Sequence, residues 1–257
     1  MTEVKSVWLR RRSVPDIQIQ PTHHRSYIEQ EWVKFFRNLW ITLKSSRWVN
    51  NPLSLELASN KLHQLQLAVS TGFNVPQTVF TNSLTSVSKL QEESTSGRCI
   101  YKPHDSGAVN HAGGEAVYTN ILSEYFWQSE QANERLQLCP GIFQTYIAKA
   151  FELRVTVVGN LCFAAKIDSQ ASSKTRVDWR RYDFANVNHE AFALPKDIQQ
   201  KCIQLISSMD LVFGAIDMIV TPDGEYYFLE VNANGQWAWI QLLTGQDIAS
   251  AIADTLC

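Results

Sequence analysis

The chain has no apolar run near the ~18 residues that a membrane-spanning helix needs, and its start, Met-Thr-Glu-Val-Lys, lacks the apolar core of a signal peptide. It has no excess of one charge. The 23 basic and 25 acidic residues leave a formal net charge of −2, which gives no electrostatic case for bulk nucleic-acid binding. The one basic cluster, Arg10, Arg11 and Arg12, reads as solvated surface. Cysteine is scarce and poorly placed for pairing: Cys99, Cys139, Cys162, Cys202 and Cys257 are odd in number and form no C-x-x-C pair. That argues against a disulfide framework or zinc site and fits a reducing compartment. Internal repeats and low-complexity tracts are absent too. A cytoplasmic protein without membrane or nucleic-acid partners is the expectation. Of its 257 residues, 45% are hydrophobic, ample for one large domain or two lobes.

Residues 26–47 place Ile28, Trp32, Phe35, Phe36, Leu39, Trp40 and Leu43 at helical spacing, and the tryptophans read as core. A second helix opens at Ser59 as its cap, with Leu62, Leu65 and Val69 on one face and Gly72 as its stop. A strand over Val75 to Phe80, a helix over 84–93 and a strand from Arg98 to Lys102 follow. His104-Asp105-Ser106-Gly107 then leads into a flexible loop that ends at Gly113-Gly114. The second half reads mainly as strands: Ile142 to Ile147, a hairpin of Leu153 to Val158 and Leu161 to Ile167 around Gly159-Asn160, and Val212 to Val220 turning at Pro222-Asp223-Gly224-Glu225 into Tyr226 to Val231. Helices are expected over 196–208 and 245–256. The fold class is α+β, an antiparallel sheet with helices on one side.

The Asp223-Gly224 hairpin carries the most chemistry. If those two residues are the loop, pairing outward sets Asp217 directly opposite Glu230, in apolar surroundings. Facing carboxylates repel, and burying them unpaired is costly. A raised pKa on one acid, or a divalent cation between them, relieves the conflict. Asn232 projects from the same face as Glu230. Two carboxylates and an amide oxygen suit magnesium, which then expects phosphate oxygens to complete its shell. The alternative is that both acids merely meet distant arginines. Lys102, at a strand end before a glycine-bearing loop, is a candidate phosphate clamp; Lys61, in a first helical turn, is a weaker one. Glu152 and Arg154 share one sheet face, where an acid can hold ribose hydroxyls and an arginine can stabilise a transferring phosphoryl group. A salt bridge between them is the plain alternative. Arg180 sits in a polar connection from which it can reach a site.

In this order the pieces Asn60-Lys61-Leu62, Ile100-Tyr101-Lys102-Pro103, Phe143-Gln144-Thr145-Tyr146-Ile147, Glu152 to Gly159, Asp178-Trp179-Arg180, Gly214-Ala215-Ile216-Asp217 and Phe228-Leu229-Glu230-Val231-Asn232 resemble the ATP-grasp superfamily. The likeness is to the microviridin-type peptide ligases (graspetide synthetases) and, more distantly, to RimK-like glutamate ligases. It covers roughly residues 55–257, and a weaker echo runs through Val7-Trp8-Leu9-Arg10-Arg11. It implies an ATP-grasp fold that holds the nucleotide between two α+β lobes, a central one over about 75–145 and a C-terminal one over about 146–257. Residues 1–55 would be the back part of an N-terminal lobe. By position, Lys61 and Lys102 would contact the ATP phosphates, Gln144 to Ile147 would read adenine through backbone groups, and Glu152 would bind ribose. Asp217, Glu230 and Asn232 would hold magnesium, with Glu230 bridging two ions. Arg154 and Arg180 would be catalytic, stabilising phosphoryl transfer and the acyl phosphate.

The implied activity is ATP-dependent activation of an acidic side chain in a precursor peptide with a leader segment, followed by closure of an ester or amide ring, and a homodimer is the implied assembly. Two rivals are a ligase that adds an amino acid to a peptide or small acid, and a pseudoenzyme that binds a leader peptide or partner without turnover. Three features depart from the family's pattern, one of them the loop from His104 to Gly114, which is unlike that of the microviridin-type ligases. Only about sixty residues precede the helix of Lys61, and Val231-Asn232-Ala233-Asn234 lacks the proline that often follows the asparagine.

Overall fold

The structure, a computed structural model, describes residues 3–10, 15, 18, 23–104, 108–109, 115–116, 118–181 and 183–257. Among them no helix is long and apolar enough to cross a membrane. Ser6–Trp8 (β1) pairs in parallel with Arg47–Val49 (β2), and helix His23–Thr42 (α1) runs between them. The helix expected over 26–47 thus ends sooner, because the chain from Arg47 is drawn into β2. Trp48 is core, but Trp8 and Trp32 are each 37% exposed, so the reading of the tryptophans as core holds only in part.

Two helices follow, Pro52–Ala58 (α2) and Lys61–Ser70 (α3). Asn60 rather than Ser59 caps α3, its side chain accepting from His63 N–H at 3.0 Å, while Ser59 closes α2. The buried face of α3 is Gln64, Leu65 and Ala68; Leu62 and Val69 are exposed. Gly72, at φ +82°, ends the helix.

A four-stranded antiparallel sheet comes next. It is built from Thr78–Thr81 (β3), Cys99–Lys102 (β4), Asn120–Ile121 (β7) and Gly141–Thr145 (β8), in the order β3-β8-β4-β7. Between β4 and β7 lies a short hairpin, Ala108–Val109 (β5) and Glu115–Ala116 (β6). Asp105 to Gly107 and Gly113-Gly114, expected as loop, lie outside the described residues. Helices Leu84–Glu93 (α4), Glu124–Gln128 (α5) and Ala132–Leu138 (α6) complete the region. Val87, Leu90 and Leu136 pack with Cys99 and Phe143 on one face of this sheet. Alternation along β4 and β8 turns Ile100, Lys102, Ile142 and Gln144 to the other face.

The larger sheet contains Phe151–Val158 (β9), Leu161–Ile167 (β10), His189–Phe192 (β11), Phe213–Val220 (β12) and Tyr226–Asn232 (β13), in the order β11-β10-β9-β12-β13, all antiparallel. Lys196–Ser208 (α7) connects β11 to β12, and Ala238–Thr244 (α8) and Ile248–Leu256 (α9) close the chain. Leu153, Val155, Val157, Ile216 and Met218 pack with residues of α2, α3 and α7 on one face. Each such aliphatic side chain contributes about 1.5–3 kcal/mol on burial. The expectation of helices on one side needs correction: Val158, Ala165 and Phe213 on the opposite face are covered by Ile240, Ile248 and Ile252 of α8 and α9. Apolar side chains at that end need a cover, and the rest of this face carries Glu152, Arg154, Asp217 and Glu230.

The turn between β12 and β13 differs from the expected two-residue loop. Gly224 N–H donates to Thr221 O at 3.0 Å, Thr221 N–H donates to Glu225 O at 3.0 Å, and Gly224 sits at φ +88°. A left-handed glycine after a type I turn makes a longer loop, and Val220 pairs with Tyr226 rather than Tyr227. A bulge then leaves Leu229 between the partners of Met218 and Asp217, so Asp217 faces Glu230 after all. The one-residue slip at the turn and the one-residue bulge cancel.

Candidate active site

The bare face of the larger sheet and the Lys102 face of the smaller one bound a cleft lined by Lys102, Glu152, Arg180, Asp217 and Glu230. Across the larger sheet, Arg154 of β9, Asp217 of β12 and Glu230 of β13 are consecutive register partners. Arg154 Nη1 donates to Asp217 Oδ1 and Oδ2 at 2.8 and 2.7 Å. Glu230 turns to other cations, with Oε1 3.2 Å from Arg180 Nη1 and Oε2 3.8 Å from Lys61 Nζ. Lys61 also donates to Pro103 O at 2.9 Å, which ties α3 to the end of β4.

Arg180 is set by Asp178. Its Nε and Nη2 donate to Asp178 Oδ1 and Oδ2 at 2.9 and 2.7 Å, and Asp178 also accepts from Thr119 N–H at 3.2 Å. Burial pushes the Asp178 carboxyl up, but the bonds from Arg180 and Thr119 outweigh it and hold it at about 2. Lys149, almost fully buried, donates to Glu152 Oε1 at 2.6 Å and to Val177 O at 3.1 Å. Burial still keeps Glu152 above its usual value, against the pull of Lys149. Glu152 and Arg154 therefore share a face without pairing with each other.

The facing acids split. Burial raises Asp217 despite Arg154, with the charge of Glu230 adding to the rise. Burial also pushes Glu230 up, but Arg180, Lys102 and Lys61 together bring it below the usual range. Burial, helped by Arg180 and Lys61, depresses Lys102 against the attraction of Glu230. Four cations thus converge on Asp217, Glu230 and Asp178. Lys102 makes neither hydrogen bond nor ion pair among the described residues, leaving its ammonium available to an added anion.

Of the residues expected in the site, Lys102, Thr145, Tyr146, Ile147, Glu152, Arg180, Asp217 and Glu230 line the cleft. Lys61 reaches it through Glu230, and Arg154 lies behind Asp217. Gln144 is buried, its Nε2 donating to Thr78 Oγ1 at 2.9 Å and its Oε1 unpartnered. Asn232 is exposed, its Oδ1 accepting from Asn234 N–H at 3.0 Å. At the end of β8, Tyr146 N–H donates to Arg98 O at 2.9 Å and Tyr146 O accepts from Ser96 at 3.0 Å. Ladder alternation therefore turns Thr145 C=O and Ile147 N–H to the β3 side, where Pro76 lines the cleft and has no N–H of its own. Sequence reasoning missed Lys149 and Thr119, which carry no signal beyond proximity to other site residues. Asp178 was legible only as a neighbour of Arg180.

Residues 58–256 match the model of the RimK-like ATP-grasp domain. The chain belongs to the RimK-like ATP-grasp family. Its fold is the expected ATP-grasp fold and its activity class is that of the ATP-grasp ligases. Solved structures with similar folds include the macrocyclase MdnC bound with precursor peptide MdnA from Microcystis aeruginosa, at 30% identity over 99% of this chain and 78% of that one, with a TM-score of 0.82. A Chryseobacterium gregarium RiPP-associated ATP-grasp ligase in complex with ADP and a leader and core peptide is 31% identical over 98% of this chain and 76% of that one, with a TM-score of 0.84. A probable alpha-L-glutamate ligase of Mannheimia succiniciproducens is 24% identical over 214 residues, 82% of this chain and 67% of that protein. In this RimK-like ATP-grasp chain, no cluster of three or more His, Cys, Asp or Glu able to hold a metal occurs among the described residues. Any cation at Asp217 and Glu230 would therefore share two carboxylates, an arrangement that suits magnesium completed by phosphate oxygens.

Proposed function

We propose that this ligase uses ATP to activate an acidic side chain of a precursor peptide as an acyl phosphate, then closes an ester or amide ring within that peptide. The observation that carries this is the row Arg154–Asp217–Glu230 facing the unpaired Lys102 across the cleft. It is a site with cations in surplus and an acid pair for a phosphate-bound ion. Similarity near 30% to a macrocyclase bound with precursor peptide and to a ligase bound with ADP, leader and core supports the substrate class.

The two sheets act as lobes, about 75–145 and 146–257, with ATP between them. Thr145 C=O and Ile147 N–H read the adenine edge, and Glu152, fixed by Lys149, meets the ribose. Lys102 and Lys61 clamp the phosphates. Asp217, Glu230 and Asn232 would hold magnesium; Asn232, whose Oδ1 accepts from Asn234 N–H, would have to turn to join them. When bound, the metal neutralises charge on the phosphates. Arg180, held by Asp178, stabilises the transferring phosphoryl group. Arg154 keeps Asp217 oriented. A peptide carboxylate oxygen attacks the γ-phosphorus and ADP leaves. A hydroxyl or amine of the same peptide then attacks the acyl carbon, loses its proton, and expels phosphate. Closing the cleft keeps water from the acyl phosphate. The likeness to the microviridin-type ligases supports a homodimer as the active assembly.

The test is incubation with an acidic leader-bearing precursor and magnesium–ATP. Ring closure loses one water per ring with no free amino acid present. The RimK-like family match and the glutamate-ligase relative favour a second reading, addition of an amino acid. A mass gain that requires free glutamate would establish it instead.

A further inference from the structure

The segment 231–236, which carries Asn232 out of the sheet, is held by three side chains from the first 64 residues. Gln64, buried in α3, accepts Val231 N–H at 2.8 Å and donates to Val231 O at 2.9 Å. Asn50, 2% exposed, donates to Ala233 O at 3.1 Å and to Phe213 O at 2.7 Å. Its Oδ1 accepts from Val212 and Phe213 N–H. Arg10 takes the last positions: Nη1 donates to Asn234 O and Gly235 O at 3.1 and 2.9 Å, and Nη2 to Gln236 Oε1 at 3.2 Å. Its guanidinium lies 5.9 Å from the Trp8 ring, and Trp8 packs against Trp237 with centroids 6.3 Å apart. The expectation that Arg10 is solvated surface is thus corrected: it satisfies carbonyls of a segment more than two hundred residues away in sequence. Arg11 and Arg12 lie outside the described residues.

The far side of this segment touches the site. A Cβ on Gly235 would stand 2.8 Å from Arg154 Nη2 and 2.4 Å from Ala215 Cβ, so the bare backbone of Gly235 closes directly on the guanidinium that holds Asp217. Gly235 N–H in turn donates to Asn232 O at 3.1 Å. Arg10, Gly235, Arg154 and Asp217 form a continuous series of contacts, with Asn232 on the same segment.

We propose that Arg10 is a positioning residue for the metal–phosphate site: by gripping the carbonyls of Asn234 and Gly235 it keeps Gly235 against Arg154 and Asn232 beside Glu230. This rests on the magnesium–ATP reading above. A forked guanidinium is needed because one group serves three acceptors; a lysine ammonium reaches fewer of them. Partners of this outer kind typically change metal affinity or activity about 10–100-fold.

Two measurements on the full chain test it. In the absence of nucleotide, hydrogen exchange of segment 232–236 should quicken at least about tenfold in Arg10→Ala while β12 and the melting temperature stay near wild type. Titration with ATP should show magnesium-dependent affinity about tenfold weaker in Arg10→Ala, with nucleotide binding in EDTA unchanged. Arg10→Lys should recover only part of both effects. Unchanged exchange, wild-type magnesium-dependent affinity, or an equal loss with and without magnesium together with a lower melting temperature would overturn the proposal. A wild-type chain that shows the protected segment yet binds no magnesium–ATP would instead overturn the nucleotide reading.

Discussion

Asp217 and Glu230 face each other across the β12–β13 ladder, yet each turns to its own arginine, Arg154 at 2.7 Å and Arg180 at 3.2 Å. The repulsion expected between facing carboxylates is answered by cations on both sides of the row. Glu230 lies below the usual carboxylate range once Arg180, Lys102 and Lys61 have outweighed its burial. Glu230→Gln therefore should not stabilise the fold by relieving Asp217. It is expected to cost about 1–2 kcal/mol in urea unfolding, because three cations lose their shared anion, and to abolish ATP turnover. Retained turnover would remove Glu230 from the chemistry.

Asp178 supplies a pH signature. Its folded value of about 2 lies below the ordinary 3.8. A depressed carboxylate contributes stability that is present above its unfolded value and lost as pH falls through the folded one. Wild type is expected to exceed Asp178→Asn by about 2 kcal/mol near pH 7. The gap should close between pH 4 and pH 2. Denaturant titrations across that range check it; a gap independent of pH would mean packing rather than charge is responsible.

Arg180 grips Asp178 through Nε and Nη2 while Nη1 reaches Glu230. This fork makes lysine a poor substitute. Arg180→Lys and Arg180→Ala are both expected to lower kcat by about 10³-fold or more with a smaller change in ATP affinity. Stopped assays under saturating ATP would show it, and near-normal kcat in Arg180→Lys would assign the residue a merely structural part.

Lys149 and Glu152 are a buried pair. Removing one partner leaves a buried charge or forces the acid to protonate, so Lys149→Met is expected to cost about 3 kcal/mol. Changing both, Lys149→Met with Glu152→Gln, should cost less than that single change. A double-mutant cycle by chemical denaturation measures the difference; additive losses would argue that the two side chains do not act as a pair.

The sequence made the hairpins, α4, α7 and the Asp217–Glu230 opposition legible because alternation and Asp-Gly or Gly-Asn turns are local signals. The bulge at Leu229 was invisible: nothing in its apolar run marks where the extra residue falls. Ser59 and Asn60 are adjacent cap-formers, and only geometry selects Asn60. Lys149 drew no reading, and Arg10 was read as solvated surface despite its place in the weaker family echo. Lys149 meets Glu152 three residues on as well as Val177 O, whereas the partners of Arg10, Asn234 O and Gly235 O, lie more than two hundred residues away, and such long-range pairs leave no mark on spacing. Likewise α8 was missed because its role, covering Val158 and Phe213 on the second face, depends on which face those strands present.

The most direct test of the cleft as a magnesium–ATP site is calorimetric titration of ATP into the folded chain with magnesium and with EDTA, repeated for Asp217→Asn. Micromolar binding with magnesium that becomes much weaker in EDTA, and in Asp217→Asn no longer responds to magnesium, is the expected result. Binding of equal strength in all conditions, or none in a chain whose fold is intact, would contradict the assignment of Asp217 and Glu230 to a metal-bridged nucleotide.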